Sequence, residues 1–243
     1  MIVGIFKHEI LIGTGYFKKI VNIKKDKFSD LMIELSNCSF KKKVQLSKGE
    51  SIALKVNLTE SQFDIINLIL LEGIQISKAI KFKAKLNQSE FNSFELYSPS
   101  LYNFFLKWGN NYKIDWRDLN TELEKEAWIR ACSRLIDITK HKLNRKKYII
   151  DFEYVNSLLD FYCLIGETFL GYKGYMGGDG NAFLDCLSFI RQNKNDDSEI
   201  FVMFKNFHLI NKRFKNNLDL LKEFKTNIID DFENNGFIID GAE

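Results

Sequence analysis

The chain has 243 residues, of which 45% are hydrophobic and 14% aromatic, so it can bury one large or two small cores. No apolar run reaches the roughly 18 residues of a membrane helix, and Lys7 and Glu9 interrupt the apolar N-terminal segment. We therefore expect a cytoplasmic protein with no membrane span. The four cysteines lie far apart among apolar residues, which predicts reduced thiols and argues against a metal site or a disulfide scaffold.

The formal net charge of +3 hides an asymmetry between the two halves of the chain. Residues 1–147 contain 26 Lys and Arg against 16 Asp and Glu, a charge of +10, whereas residues 148–243 contain 9 against 16, a charge of −7. An acidic half suggests a cationic partner, because complementary charge speeds the encounter of two proteins. Two solvated surfaces without a partner would explain the same counts equally well.

Residues 1–144 are predicted to form a strand-rich α+β domain. Alternating or apolar runs with many β-branched and aromatic residues, typical of strands, occur at 2–12, 16–23, 31–35, 52–58, 74–86 and 91–97. The capping-box pattern Thr59-Glu60-Ser61-Gln62 leads into an apolar segment that stops at Gly73. This pattern favours a helix, although its apolar run 65–71 fits a strand equally well.

A long helix is predicted at the end of this first half. Apolar residues recur at helical spacing from Leu119 to Leu143, with acidic residues early and basic residues late. The basic run 140–147 closes the pattern, so we place the domain boundary between residues 144 and 145.

Residues 145–243 are predicted to form an α/β domain with three parallel strands and four helices. Short, almost continuous apolar runs at 148–152, 200–204 and 237–239 are typical of strands buried on both faces of a parallel sheet. Helical patterns lie between them at 155–169, 181–190, 207–214 and 217–234. With right-handed crossovers, the order β-α-α-β-α-α-β gives a small parallel sheet covered by helices.

The helix that begins near Asn181 has a buried face and an outward face. The spacing i, i+3, i+4, i+7 of a buried stripe is followed by Phe183, Cys186, Leu187 and Ile190. Asn181, Asp185 and Ser188 therefore face outward, and Leu184 lies at the flank, where an apolar side chain can anchor a partner. In the last predicted helix, Asp231 lies at the edge of the inner face.

The barstar motif is similar to residues 175–187, with the sequence YMGGDGNAFLDCL. In that family a loop with Tyr and Gly precedes an Asn, an Asp and a helix with Trp-Asp-Cys-Leu. The order of strands and helices and the closing strand at 236–239 are also barstar-like, so the resemblance covers about the last 96 residues. It implies an immunity protein, a ribonuclease inhibitor that binds a nuclease toxin and plugs its active site with carboxylates.

By this resemblance, Asp185 is the central aspartate that pairs with the catalytic basic residues of the nuclease, and Asp231 is the acidic residue of the last helix. The second aspartate of the family is Asn181 here, and its tryptophan is Leu184. These departures leave the toxin open between a ribonuclease, a deoxyribonuclease and a tRNase. The residues expected to contact the toxin are Tyr175, Asp179, Asn181, Leu184, Asp185, Ser188 and Asp231.

Enzymatic and cofactor roles are not predicted. The glycine-rich loop 171–180 lacks the Gly-Lys-Ser/Thr ending of a nucleotide-binding loop, and we interpret its glycines as allowing close approach to the partner. The three histidines are isolated, and no serine or cysteine has the context of a nucleophile. We expect no cofactor and no metal.

A second hypothesis is a nucleic-acid-binding or regulatory protein that acts through the basic first half. Lysines cluster at 41–43 and alternate at Lys81, Lys83 and Lys85 on one expected strand face. A solvated strand face on which lysines discourage edge pairing is the preferred interpretation.

Overall fold

The computed structural model describes residues 1–24, 27–41, 44–57, 63–86, 99–193 and 199–241. The chain divides into two compact units, Met1–Ile114 and Asp115–Glu243. The charge asymmetry persists in this division, with 17 Lys and Arg against 10 Asp and Glu in unit 1, and 18 against 22 in unit 2. The protein is of mixed α/β type, as predicted.

Unit 1 is a closed antiparallel barrel of six strands. The strands are β1 (Ile2–Lys7), β2 (Ile10–Lys24), β3 (Lys27–Phe40), β4 (Ser51–Asn57), β5 (Phe63–Leu70) and β6 (Ala79–Leu86). Their order around the barrel is β1-β2-β3-β6-β5-β4, and pairing of β1 with β4 closes it. Side chains alternate along each strand, so that Ile5, Leu54 and Phe82 fill the interior. The strand-rich character expected of the first half is confirmed.

Two expectations for this half are corrected. Residues 63–70 form β5 between β4 and β6, so the helix favoured up to Gly73 is wrong over its described part, and the alternative of a strand over 65–71 is confirmed. The isoleucine-rich run packs well on a pleated surface, which outweighs the capping pattern. The expected strand 2–12 is broken at His8 and Glu9, whose φ angles of 48° and 64° suit the two-residue turn of a hairpin. Residues 59–62 and 91–97 lie outside the described residues.

Unit 1 ends in a helix that the sequence analysis did not predict, α1 (Pro99–Gly109). Proline suits the first position of a helix, where no backbone N–H is needed. One side of α1 is buried, with Leu101, Tyr102, Phe104, Phe105 and Trp108. The Tyr102 ring stacks on Phe17 of β2 with centroids 6.0 Å apart, which places this apolar side on the barrel.

Unit 2 contains a three-stranded parallel sheet in the order β7-β8-β9, as predicted. The strands are β7 (Lys147–Asp151), β8 (Ile200–Lys205) and β9 (Phe237–Asp240). Burial alternates along them, and Ile149 and Ile238 are 50% and 38% exposed. The expectation of strands buried on both faces is therefore wrong, because the described residues of unit 2 leave side chains of the second face exposed.

The helices of unit 2 are α2 (Glu122–Ser133), α3 (Leu158–Leu170), α4 (Gly180–Gln192), α5 (Leu209–Arg213), α6 (Leu218–Lys222) and α7 (Ile228–Asn234). A π-helical segment, Glu223–Asn227, joins α6 and α7 into one helical stretch. The four helices expected after the first strand are therefore present as α3, α4, α5 and the stretch from α6 to α7. None of the helices in the described residues combines the length and apolar content that crossing a membrane requires.

Helix α2 is shorter than the helix expected from 119 to 143. It begins with a capping box between Thr121 and Glu124 and ends at Ser133. The carboxylate of Asp137 accepts a hydrogen bond from the backbone N–H of Thr139 and starts a separate 3-10 turn, Ile138–Lys140. The β-branched residues of this turn favour continuation of the helix less than the alanines of α2 do.

The segment before β7 belongs to unit 2. Lys125 of α2 forms an ion pair with buried Asp160 of α3, with Nζ and Oδ1 2.5 Å apart. Trp116 donates from Nε1 to Glu167 of α3 at 3.0 Å, and Arg117 donates to the same carboxylate at 2.7 Å. The boundary expected between residues 144 and 145 therefore lies inside this unit.

Candidate partner-binding surface

The glycine-rich loop before α4 is packed against the protein's own backbone. A Cβ at Gly174 would overlap the carbonyl oxygen of Gly166 in α3, and a Cβ at Gly177 would overlap the backbone nitrogen of Phe183 in α4. Gly177 also has a φ of +97°, a conformation that other residues rarely adopt. These two glycines allow the loop to pack closely on α3 and α4. The interpretation that the loop glycines allow close approach of a partner is therefore wrong for Gly174 and Gly177.

Helix α4 is held firmly at both ends. The Asp179 carboxylate caps its N-terminus and accepts a hydrogen bond from the N–H of Ala182 at 2.9 Å. After its C-terminus, Asn193 donates from Nδ2 to the carbonyl of Thr139 at 2.6 Å. The predicted inner stripe is confirmed, because burial is complete or nearly so for Phe183, Cys186, Leu187 and Ile190. The outward side chains of α4 are thus presented on a rigid support.

The outward face of α4 carries most of the residues expected to contact a toxin. Asn181 and Asp185 are exposed, and Leu184 is 37% exposed. Ser188 is half-buried, and its hydroxyl accepts a hydrogen bond from Gln192 Nε2 at 3.0 Å. Phe189, which the sequence analysis did not select, is 42% exposed on the turn after Asp185. Its position four residues after Asp185 is the signal that would have found it.

The last helical stretch contributes a pair of carboxylates. In an α-helix, residues seven apart share a side, and the extra residue of a π turn extends this spacing to about eight. Glu223 begins the π segment, and Asp231 follows eight positions later in α7. Burial raises the pKa of Asp231, and the charges of Glu223 and Asp230 raise it further. Glu223 was not predicted as a site residue.

The sequence contains an indication of this π turn. The buried residues Phe224, Ile228 and Phe232 are spaced by four, whereas an α-helix has about 3.6 residues per turn. Three such positions would drift around a regular helix. The wider π turn compensates for this rotation and keeps all three side chains in the core.

Buried Tyr162 of α3 links the carboxylates of three elements. Its pKa is raised well above the usual value, first by burial and then by the charges of Glu223, Asp179 and Asp231. The carboxylates at the cap of α4, in the π segment and in α7 therefore all act on the pKa of one phenol. This arrangement brings together Asp179 and Asp231, two residues selected from the sequence. Tyr162 itself was not selected, because nothing in its local pattern marks it.

Tyr175, another residue expected to contact the toxin, is partly covered by the protein itself. It is half-buried, and burial raises its pKa to about 12, with further contributions from Cys186 and Asp179. Burial raises the pKa of Cys186 to about 12, and the charge of Asp185 contributes to the rise.

We define the acidic surface as Asp179, Asp185, Glu223, Asp230 and Asp231.

The acidic surface lacks internal cations. Within the described part of the chain, no lysine or arginine forms an ion pair with any of its five carboxylates. On the open face of the sheet, by contrast, Lys205 pairs with Asp151 at 2.7 Å and Lys147 with Asp240 at 3.2 Å. The negative charge of the acidic surface is thus available to a cationic partner.

Other chemistries find little support among the described residues. No group of three His, Cys, Asp or Glu side chains there has the arrangement of a metal site. All four cysteines are buried and unbridged, and burial raises the pKa of each thiol, which disfavours the reactive thiolate.

The lysines of β6 that suggested nucleic-acid binding have acidic neighbours. Lys81 pairs with Glu34 of β3 at 3.0 Å, and Lys83 lies 3.7 Å from Glu72. Lys85 faces Asp30 in the strand register. These contacts favour the interpretation of a solvated strand face. Lys42 and Lys43 lie outside the described residues.

Comparison with known proteins gives no match. No family model matches the sequence, and no curated protein or solved structure is significantly similar to it.

Proposed function

We propose that this chain is an immunity protein that binds a nuclease toxin, a ribonuclease in the first instance, and inhibits it by placing carboxylates in its active site. The observation that carries the proposal is the acidic surface, in which Asp185 and four other carboxylates have no cationic partner in the described chain. Carboxylates without internal cations, with Asp185 on α4, Asp179 at its cap and the others on the last helical stretch, fit the cations that a nuclease uses to bind phosphate.

In the proposed complex, Asp185 occupies the position of a substrate phosphate and pairs with Lys, Arg or protonated His of the nuclease. Close charge pairs of this kind couple by about 1.5–7 kcal/mol in the complex of barnase with barstar, and residues 175–187 resemble the barstar family. Asp179, Asp231 and Glu223 add to the field that steers the toxin. Asn181 contributes hydrogen bonds only, because an amide carries no charge.

The architecture of unit 2 supports a barstar-like interpretation of residues 145–243. Three parallel strands alternate with four helices in the predicted order β-α-α-β-α-α-β, and Asp185 lies on the outward side of the second helix. The Asp179 cap, which stabilises the first turn of α4, and the attachment of Asn193 to Thr139 reduce the entropy lost when a partner binds.

The proposal predicts a nuclease toxin domain encoded beside the gene, and the test uses that domain. We expect the full chain to co-purify with this domain and to protect cells that express it, and we expect Asp185→Ala to abolish both effects while the protein stays folded. Asp118→Ala is the matched control, because Asp118 is an exposed carboxylate of the same unit outside the acidic surface. Equal protection by wild type, Asp185→Ala and Asp231→Ala would overturn the proposal.

The alternative function, nucleic-acid binding by the basic first half, rests on the charge of unit 1. Its support is weaker, since Lys81 and Lys83 already have acidic neighbours. Failure to bind the toxin together with a salt-sensitive shift of RNA or DNA by the full chain would favour this alternative.

A further inference from the structure

We infer that Phe189 is an aromatic anchor that seals the Asp185 ion pair from water, so that the partner carries an apolar recess beside its cationic site. Phe189 is 42% exposed, whereas Phe183 on the inner side of the same helix is 1% exposed. A phenylalanine exposed next to an unpaired carboxylate keeps a large apolar area in water until a partner covers it. This inference rests on the proposed function and adds a specificity residue to it.

The geometry of α4 places one large apolar side chain next to Asp185. Phe189 follows Asp185 by four residues, so the two are neighbours along the helix surface, whereas Leu184 points about 100° away from Asp185, at the flank of the outward face. Gln192 is held to Ser188 by a hydrogen bond of 3.0 Å, which keeps its amide beside the serine. The carboxylate therefore has the Phe189 ring on the next turn of the helix, and Leu184 lies at the other edge of the outward face.

Water exclusion is what makes such an ion pair strong. An ion pair open to water contributes little to affinity, because the high dielectric and dissolved salt weaken it. The same pair surrounded by apolar groups interacts in a lower dielectric, and aromatic residues that exclude water are typical of the strongest contacts in interfaces. Asp185 alone cannot exclude water from its partner cation. Phe189 and Leu184 supply the apolar rim.

The occupant that fits this face is a cationic protein surface with an apolar recess. Positive charge is required by the acidic surface, whose carboxylates lack cations in the described chain. The recess is required by the size of the phenylalanine ring, which would otherwise hold the two surfaces apart.

The test is a double-mutant cycle with the toxin domain encoded beside the gene, using Asp185→Asn, Phe189→Ala and the double variant in the full chain. Phe189→Ala is expected to raise the Kd about 30-fold, the size typical of an anchor residue, and to steepen the loss of affinity with added salt. Because the ion pair loses its shield, the double variant should lose less affinity than the product of the two single losses. Leu123→Ala, at a residue of α2 that is 64% exposed, should leave the Kd unchanged.

The outcomes separate this inference from the proposed function. A loss with Asp185→Asn but none with Phe189→Ala would overturn the inference and leave the proposed function standing. If the double variant loses affinity by the product of the two single losses, Phe189 is an independent contact and its role in sealing the ion pair is overturned. No loss with Asp185→Asn would overturn the proposed function and the inference together. Thermal unfolding of each variant, with Phe189→Leu as a milder change, verifies that the fold is kept.

Discussion

Glu223 and Asp231 lie on the same side of the last helical stretch, because the π segment between them adds one residue to a turn. The charge of Glu223 raises the pKa of Asp231 as a result. Glu223→Gln should therefore lower the pKa of Asp231, which carboxyl NMR titration measures. Glu233→Gln, an exposed change within α7, is the control and should leave it in place. An unchanged Asp231 pKa in Glu223→Gln would contradict the placement of these two carboxylates on the same side of the helical stretch.

Asp231→Asn should stabilise the protein at neutral pH. The pKa of Asp231 is raised in the folded state, so the folded protein binds this proton more tightly than the unfolded chain does. The contribution of Asp231 to stability is full below its ordinary pKa of 3.8 and is lost as pH rises through the raised folded value. Thermal unfolding of wild type and variant should thus diverge at pH 7 and converge near pH 3. A variant that is less stable than wild type at pH 7 would contradict this assignment.

The ion pair between Lys125 and Asp160 should be essential for the packing of α2 on α3. Asp160 is 2% exposed and also accepts hydrogen bonds from the Asn156 N–H at 3.0 Å and the Ser157 hydroxyl at 3.1 Å. Lys125→Ala leaves this carboxylate buried without its cation, which should cost about 3 kcal/mol.

Chemical denaturation measures this loss, with Lys147→Ala as the control. The Lys147–Asp240 pair is solvent-exposed, with atoms 3.2 Å apart, and its loss should cost less than about 1 kcal/mol. Similar losses for the two variants would show that burial does not strengthen the Lys125–Asp160 pair.

Gly174→Ala should destabilise unit 2 by about 3 kcal/mol, because the new methyl group would overlap the backbone of Gly166 and force the loop away from α3. Gly180→Ala, at the first residue of α4, is the control, since a Cβ there meets no atom within 4 Å. It should change stability by less than about 1 kcal/mol. Equal stability of the two variants in denaturant would show that the loop is not seated on α3.

Much of unit 2 followed from local sequence patterns. The strands β7, β8 and β9 are continuous apolar runs, and the inner stripe of α4 has a regular helical spacing, so each could be found in a short window. The exposure of Asp185 and Leu184 followed from the same spacing. Whether Asp185 binds a toxin stays a prediction.

The features that were missed depend on contacts between distant parts of the chain. Closure of the barrel requires β1 to pair with β4, and the assignment of α2 to unit 2 rests on Asp160 and Glu167 of α3. The cluster around Tyr162 joins three elements that no short window contains. Local pattern left β5 undecided between a helix and a strand, and its pairing with β4 and β6 determines the strand.

The most direct test of active-site occupation is competition with substrate. The Kd of the full chain for the toxin domain encoded beside the gene would be measured alone and with a saturating, non-cleavable oligonucleotide. We expect the oligonucleotide to raise the apparent Kd of the wild type, because both molecules compete for the active site. Asp185→Ala should bind weakly in both conditions. An unchanged Kd for wild type in the presence of the oligonucleotide would contradict the account, because inhibition would then act through a surface away from the active site.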